Sequence, residues 1–182
     1  MSRKATVSQQ EIIDAAFRIT MQEGFDQITS RGLAAAAGCS TQPIFRIYEN
    51  MDALKQDVYA RAATFYADYY ADFPKQNSTP FVDLGMAYIS FARKYPQLFR
   101  VLFLPEQTEG KRSMYDLVNG ETEAVAKEAA RAREAGCADP NTLFMQMWIF
   151  IHGAACMAVT GDYDLGDQES VELLETCYRD FV

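Results

Sequence analysis

Thr41, Gln42, Phe45 and Arg46 bring a hydroxyl, an amide, an aromatic ring and a guanidinium to the outer, N-terminal side of one short segment. Such a set is suited to recognition rather than bond-making, because donors and acceptors of this kind pair with base edges in a DNA major groove. The flanking residues 32–50 read GLAAAAGCSTQPIFRIYEN. Their spacing is that of a helix-turn-helix, in which one helix crosses the DNA backbone and the next enters the groove by its N-terminal end. That geometry makes three demands. The helices must approach closely, which Ala34 permits. The chain must bend sharply, which Gly38 permits four residues later. The second helix needs an apolar inner face, which Ile44 and Ile47 supply together with Tyr48. An ordinary corner between two helices of an all-helical protein has similar spacing, and the glycine alone decides little.

Other candidates for chemistry are sparse. His152 is the single histidine, and Cys156 stands four residues after it, on the same face of a helix. Two such ligands do not complete a metal site, so no metal is expected. There is no Gly-rich phosphate loop, and a serine–histidine triad would have to use His152. An enzyme is therefore not expected, nor a cofactor. Cys39, Cys137, Cys156 and Cys177 include no CxxC pair. A reducing, cytoplasmic location fits them best. A thiol-based redox sensor built on Cys156 or Cys137 stays open as an alternative, although no flanking cation lowers a thiol pKa.

The elements that must position these groups read as helices almost throughout. Ser8 and Glu11 have capping-box spacing, and the apolar residues from Ile12 to Met21 recur at intervals of three and four until Gly24 ends the first helix. Thr29 caps a short second helix over 30–37, and Ser40 caps a third from Thr41 to about Tyr48, with Pro43 in its first turn. A fourth helix over 52–73 is apolar along two lines, Leu54, Val58, Phe65, Tyr69 and Tyr59, Tyr66, Tyr70, which predicts a helix sandwiched between others. Residues 74–80, PKQNSTP, form a linker. Helices follow over 81–95 and 96–104, with a break at Pro105, then over 111–135 up to Gly136, over 140–160 after Asp139, and from about Gln168. There is neither strand alternation nor an internal repeat. The fold class expected is all-α: an N-terminal three-helix helix-turn-helix domain over 1–50 and a C-terminal helical domain over 51–182, with helix 52–73 linking the two.

With these residues in place, the chain resembles the TetR family of transcriptional regulators. Residues 8–60 carry the likeness in Glu23-Gly24-Phe25, Thr29-Ser30-Arg31, Leu33-Ala34, Ala37-Gly38-Cys39-Ser40, Ile44-Phe45-Arg46-Ile47-Tyr48 and Leu54. Phe91-Ala92, Tyr95-Pro96, Leu98-Phe99-Arg100 and Trp148 with His152-Gly153 are similar to one subgroup of the family's C-terminal domains. The resemblance implies a DNA-binding regulator, a repressor released from a palindromic operator by a small molecule. It assigns Ser30 to a phosphate, Arg31 to a phosphate or base, Thr41, Gln42 and Pro43 to bases, and Arg46 to guanine or the backbone. Phe45 and Lys55 complete the DNA-binding set, and Arg3 and Lys4 an N-terminal arm. Two positions depart from the family pattern. Ile47 stands where a histidine or tyrosine is usual, and Met51 stands where a lysine would touch phosphate. Those departures keep open an alternative, a helical small-molecule-binding or protein-interaction module whose DNA binding has lapsed.

A short reading helix spans few base pairs, so a palindrome and a two-fold homodimer are expected. The family pairs its last two helices for this purpose, here residues 141–160 and 168–182. The middle helices are rich in Tyr, Phe and Met, which can line an adaptable pocket for a small-molecule effector. Tyr66, Tyr70, Met86, Phe103, Met114, Phe144, Trp148 and His152 are the candidates, with plain core packing as the alternative for each.

The formal charge of −8 sits oddly with a polyanionic partner. Residues 1–60, however, carry six basic and seven acidic side chains, against eleven and eighteen in the remainder. The acidity lies mainly outside the recognition segment, and net charge governs steering rather than local grip. The start, MSRKATVSQQ, has no apolar signal core. The longest apolar run, Leu143 to Val159, is shorter than the roughly 20 residues that span a bilayer. It reads as a buried or partner-facing helix, and no membrane is expected.

Overall fold

Local chemistry sets the first helices. In the computed structural model, which describes residues 7–104 and 123–182, α1 runs from Gln9 to Glu23. Its predicted capping box is formed: the Ser8 N–H donates to Glu11 Oε2 at 2.7 Å and the Glu11 N–H donates to Ser8 Oγ at 3.2 Å. The bond from the Ser8 backbone holds the Glu11 carboxyl below its usual pKa. A short 3-10 turn over Phe25–Gln27 leads to α2, Ser30–Ala36, where the Thr29 hydroxyl accepts the Gly32 N–H. Next come α3, Thr41–Ile47, and α4, Met51–Asp72. The predicted cap of α3 is corrected. Ser40 occupies the N-cap with extended backbone, but its hydroxyl accepts no helix N–H. Asn50, by contrast, caps the start of α4 by accepting the Ala53 N–H at 2.8 Å.

The chain divides into two compact units. Among the described residues, the first holds 7–68 and 95–104, thus α1 to α3, most of α4, and α6, Pro96–Phe103. Its core gathers Ile12, Ala15 and Ala16 of α1, Ile28, Leu33 and Ala34 around α2, Ile44 and Tyr48 at α3, and Leu54 and Val58 of α4. Phe65 extends this unit by packing between Phe17 and Tyr95, with ring centroids 5.5 and 5.0 Å away. The expectation that α4 is sandwiched is corrected in part. Only Leu54, Val58 and Ala62, one line at i, i+4, are fully buried, and Tyr59 on the second line is 42% exposed.

The second unit holds residues 69–94 and 123–182: the last turn of α4, the connector to α5 (Val82–Lys94), then α7 (Glu123–Glu134), α8 (Pro140–Thr160) and α9 (Asp167–Phe181). The predicted break at Pro105 and the first part of the helix over 111–135 lie outside the described residues. α5 is the centre of this unit, and every residue from Val82 to Ala92 except Ser90 is buried. Gly85 lets α8 and α9 come in close, since a Cβ there would stand 2.9 Å from Leu174 Cδ1 and 3.0 Å from Ile151 Cδ1. α8 is longer than its apolar run, at 21 residues, and by length and composition alone could cross a membrane. It buries Leu143, Phe144, Met147, Ile151, Ala154 and Ala155 within the unit. Among the described residues there are nine helices and no strand, as the fold class expected.

Candidate nucleic-acid interface

The α2–turn–α3 unit is closed by backbone geometry. Gly38 adopts φ +67°, and the N–H groups of Gly38 and Cys39 donate to the carbonyls of Ala35 and Ala34 at 3.2 and 2.9 Å. This is the Schellman pattern, which satisfies the last carbonyls of α2 while turning the chain. A Cβ at Gly38 would meet nothing within 4 Å, so the left-handed φ, not space, calls for glycine. Leu33 and Ala34 are buried where α2 meets its neighbours.

From this turn α3 presents its outer side. Gln42 and Arg46 are exposed, Phe45 is 51% exposed, and Thr41 and Pro43 are half-buried. Ser30 begins α2, half-buried, and Arg31 follows it exposed. Among the described residues, no hydrogen bond or ion pair engages the side chains of Arg31, Gln42 or Arg46. The ammonium of Lys55 lies over the Phe25 ring at 5.3 Å. Arg3 and Lys4 lie outside the described residues.

The inner face of α3 needs a correction. Ile44 is fully buried and Tyr48 nearly so, but Ile47 is 37% exposed. Residues four apart share nearly one line along a helix, and at 3.6 residues per turn Ile47 stands about a quarter-turn to the side of Tyr48. Met51, where the phosphate-binding lysine is usual, packs against that core. Sequence reasoning missed a polar triangle beside it. The Tyr48 hydroxyl donates to Asp57 Oδ2 at 2.8 Å, while Gln9 Nε2 donates to both, at 3.3 and 3.2 Å. Burial, and then the bond to Asp57, push the Tyr48 pKa up to about 12, so the hydroxyl keeps its proton.

The effector candidates fall into separate groups. In the first unit, Tyr66 meets Phe103 edge-on at 5.0 Å. In the second, Phe144, Trp148 and His152 form a column along α8, stacked at 5.8 and 5.9 Å. Tyr88 flanks this column, 4.8 Å from the Trp148 ring and hydrogen-bonded to His152 Nδ1 at 3.0 Å. Met86 and Phe144 are buried as core residues, whereas Trp148 and His152 are half-buried. Tyr70 stands apart, with the Lys75 ammonium 3.9 Å over its ring. Met114 lies outside the described residues.

Cys156 Sγ is 3.6 Å from His152 Nε2. Burial lowers the imidazole pKa and raises that of the thiol, so both stay neutral, the reverse of an activated thiolate–imidazolium pair. No group of three metal-binding side chains occurs among the described residues.

Solved structures share this architecture. A TetR-like transcriptional regulator from Rhodococcus sp. RHA1 superposes with a TM-score of 0.65 over 98% of this chain and 96% of its own, at 16% identity. A TetR-family regulator from Vibrio parahaemolyticus gives 0.64 over 93% and 96%, also at 16% identity. One from Haemophilus influenzae RD gives 0.61 over 97% and 98%, at 19% identity. At these identities the likeness is one of fold. No curated protein matches the chain. The sequence pattern of the tetracyclin repressor-like C-terminal domain matches residues 81–181, more than half of the chain. With that match covering most of the C-terminal unit and a helix-turn-helix ahead of it, the chain belongs to the TetR family of DNA-binding transcriptional regulators.

Proposed function

We propose that this regulator is a dimeric, cytoplasmic repressor that binds a palindromic operator and is released from it by a small molecule. The observation that carries the reading is the row of Gln42, Phe45 and Arg46 on α3, exposed to solvent while Ile44 and Tyr48 hold the opposite side in the core. Thr41, Gln42 and Pro43 read bases, Arg46 takes guanine or phosphate, Phe45 adds apolar contact, and Ser30, Arg31 and Lys55 fix the register on the backbone. Residues 1–50 serve DNA and residues 51–182 serve the effector and the dimer, with α4 joining the two roles.

The homodimer forms through residues 141–160 and 168–182. Ile149 on α8 is 60% exposed and Met157 is 47% exposed, and a Cβ at Gly153 would meet nothing within 4 Å, so this side of α8 is both apolar and low. Of the effector candidates, Trp148 and His152 have the strongest support, as half-buried groups with a flat aromatic face and a hydrogen-bonding edge. An effector that binds one spacing of the two reading heads better than the other shifts the population and releases DNA. The competing reading, a module with lapsed DNA binding, draws on exposed Ile47 and core-packed Met51.

Selection of bound sequences from random duplex DNA separates the two readings. Enrichment of a palindrome supports the repressor, and salt-sensitive binding to no duplex at all removes it.

A further inference from the structure

Two buried side chains anchor the reading helix in the core of its unit. Of the seven residues of α3, Ile44 alone is buried, and Tyr48 at its C-cap is the second anchor. Apolar contact sets how close a helix lies to its neighbours, but it is non-directional and resists rolling about the helix axis weakly. A hydrogen bond is directional, and misalignment weakens it steeply. The triangle of Tyr48, Asp57 and Gln9 supplies that direction. It ties the end of α3 to the second turn of α4 and the first turn of α1, through bonds of 2.8, 3.2 and 3.3 Å. Its members lie 9, 39 and 48 residues apart, so the tie is tertiary rather than local.

We infer that Asp57 is a positioning residue for sequence reading: through the Tyr48 hydroxyl it fixes the roll of α3, and hence the angle at which Gln42 and Arg46 meet the bases. The inference rests on the assignment of α3 as the DNA-contacting helix. A carboxylate is repelled by phosphates, so Asp57 acts through Tyr48 and not as a contact of its own. Base recognition depends on angle, whereas attraction to the phosphate backbone is sequence-independent. Loss of the tie therefore lowers the preference for the operator over other DNA more than it lowers binding to DNA in general.

The test uses the full chain, the operator obtained by selection, and a scrambled duplex of equal length at one salt concentration. Tyr48→Phe and Asp57→Ala each lose about tenfold in operator affinity, the worth of one hydrogen bond, while Tyr48→Phe binds the scrambled duplex within about twofold of wild type. Asp57→Asn keeps an acceptor for the hydroxyl and restores the operator preference. The double variant Tyr48→Phe/Asp57→Ala loses less than the sum of the two single ones, because both remove the Tyr48–Asp57 bond. An unchanged operator-to-scrambled ratio with a lowered thermal midpoint would make the triangle purely structural and overturn the inference. Equal impairment of Asp57→Asn and Asp57→Ala would overturn it in favour of charge. If Asp57→Ala does not fold, Tyr48→Phe alone decides. Wild-type protein that prefers no sequence removes the DNA-reading role itself, an outcome visible before any variant is made.

Discussion

Glu128 of α7 accepts a hydrogen bond from the backbone N–H of Phe81, 47 residues earlier, at 2.7 Å, and Phe81 is the one non-glycine described residue with positive φ, at 65°. An L-residue in that region costs about 1–2 kcal/mol, so something must hold it there. The same carboxylate takes two bonds from Arg131 at 2.9 and 2.8 Å, and Arg131 also donates to the carbonyls of Asn77 and Ser78. A buried acid and its arginine thus pin the connector between α4 and α5.

Removing the acid leaves Arg131 unbalanced and the Phe81 N–H unpaired. Breaking one side of a buried pair typically costs about 3–5 kcal/mol. Glu128→Ala is expected near the lower end, because Arg131 is partly open to solvent. Urea unfolding measures it, and a loss under about 1 kcal/mol would show that the connector is held by Phe81 burial instead.

The contrast between this latch and the recognition unit shows what a sequence can disclose. Ser8 with Glu11, Thr29 with Gly32 and the turn at Gly38 are readable because each completes its bonds within a few residues. The helix boundaries followed from them to within about two residues. Glu128 with Phe81, and Tyr48 with Gln9, join residues 47 and 39 apart, and no periodicity marks such partners. Ser40 illustrates the opposite failure: the residue type and backbone suit a cap, yet the hydroxyl makes no cap hydrogen bond, and residue type alone does not set a side-chain rotamer. The inward assignment of Ile47 fails for a geometric reason, since the line through Ile44 and Tyr48 faces the core and Ile47 stands to its side.

Arg46→Ala is expected to cost roughly 1–3 kcal/mol of operator binding and to relax preference at one base position, with thermal stability unchanged because the side chain is exposed. Lys55→Ala is expected to weaken binding to all duplexes alike and to reduce the salt dependence by about one counterion, as a phosphate contact would. Fluorescence anisotropy over a salt series distinguishes them. Equal effects of Arg46→Ala on operator and scrambled DNA would move Arg46 from the bases to the backbone.

Ile149→Glu places a charge on the exposed apolar side of α8, where it costs the isolated fold little because the residue is 60% exposed. In a dimer paired through α8 and α9 the same charge is buried without a partner, so the variant is expected to sediment as a monomer with native helicity. Sedimentation equilibrium across a concentration range checks this, and a variant that remains dimeric would place the interface on another surface.

The pH dependence of stability tests the His152 environment. Burial lowers its folded pKa below the ordinary 6.5. Folding then favours the neutral ring, and the unfolded chain binds the proton more readily. The contribution is fully present above about pH 6.5 and is lost as the pH falls from there through the lower folded pKa. His152→Gln keeps a hydrogen-bonding side chain without the titration, so its stability is expected to fall less between pH 7 and 5 than that of wild type. Parallel urea titrations at the two pH values measure the difference, and equal slopes for both proteins would mean that His152 is solvated in the folded state.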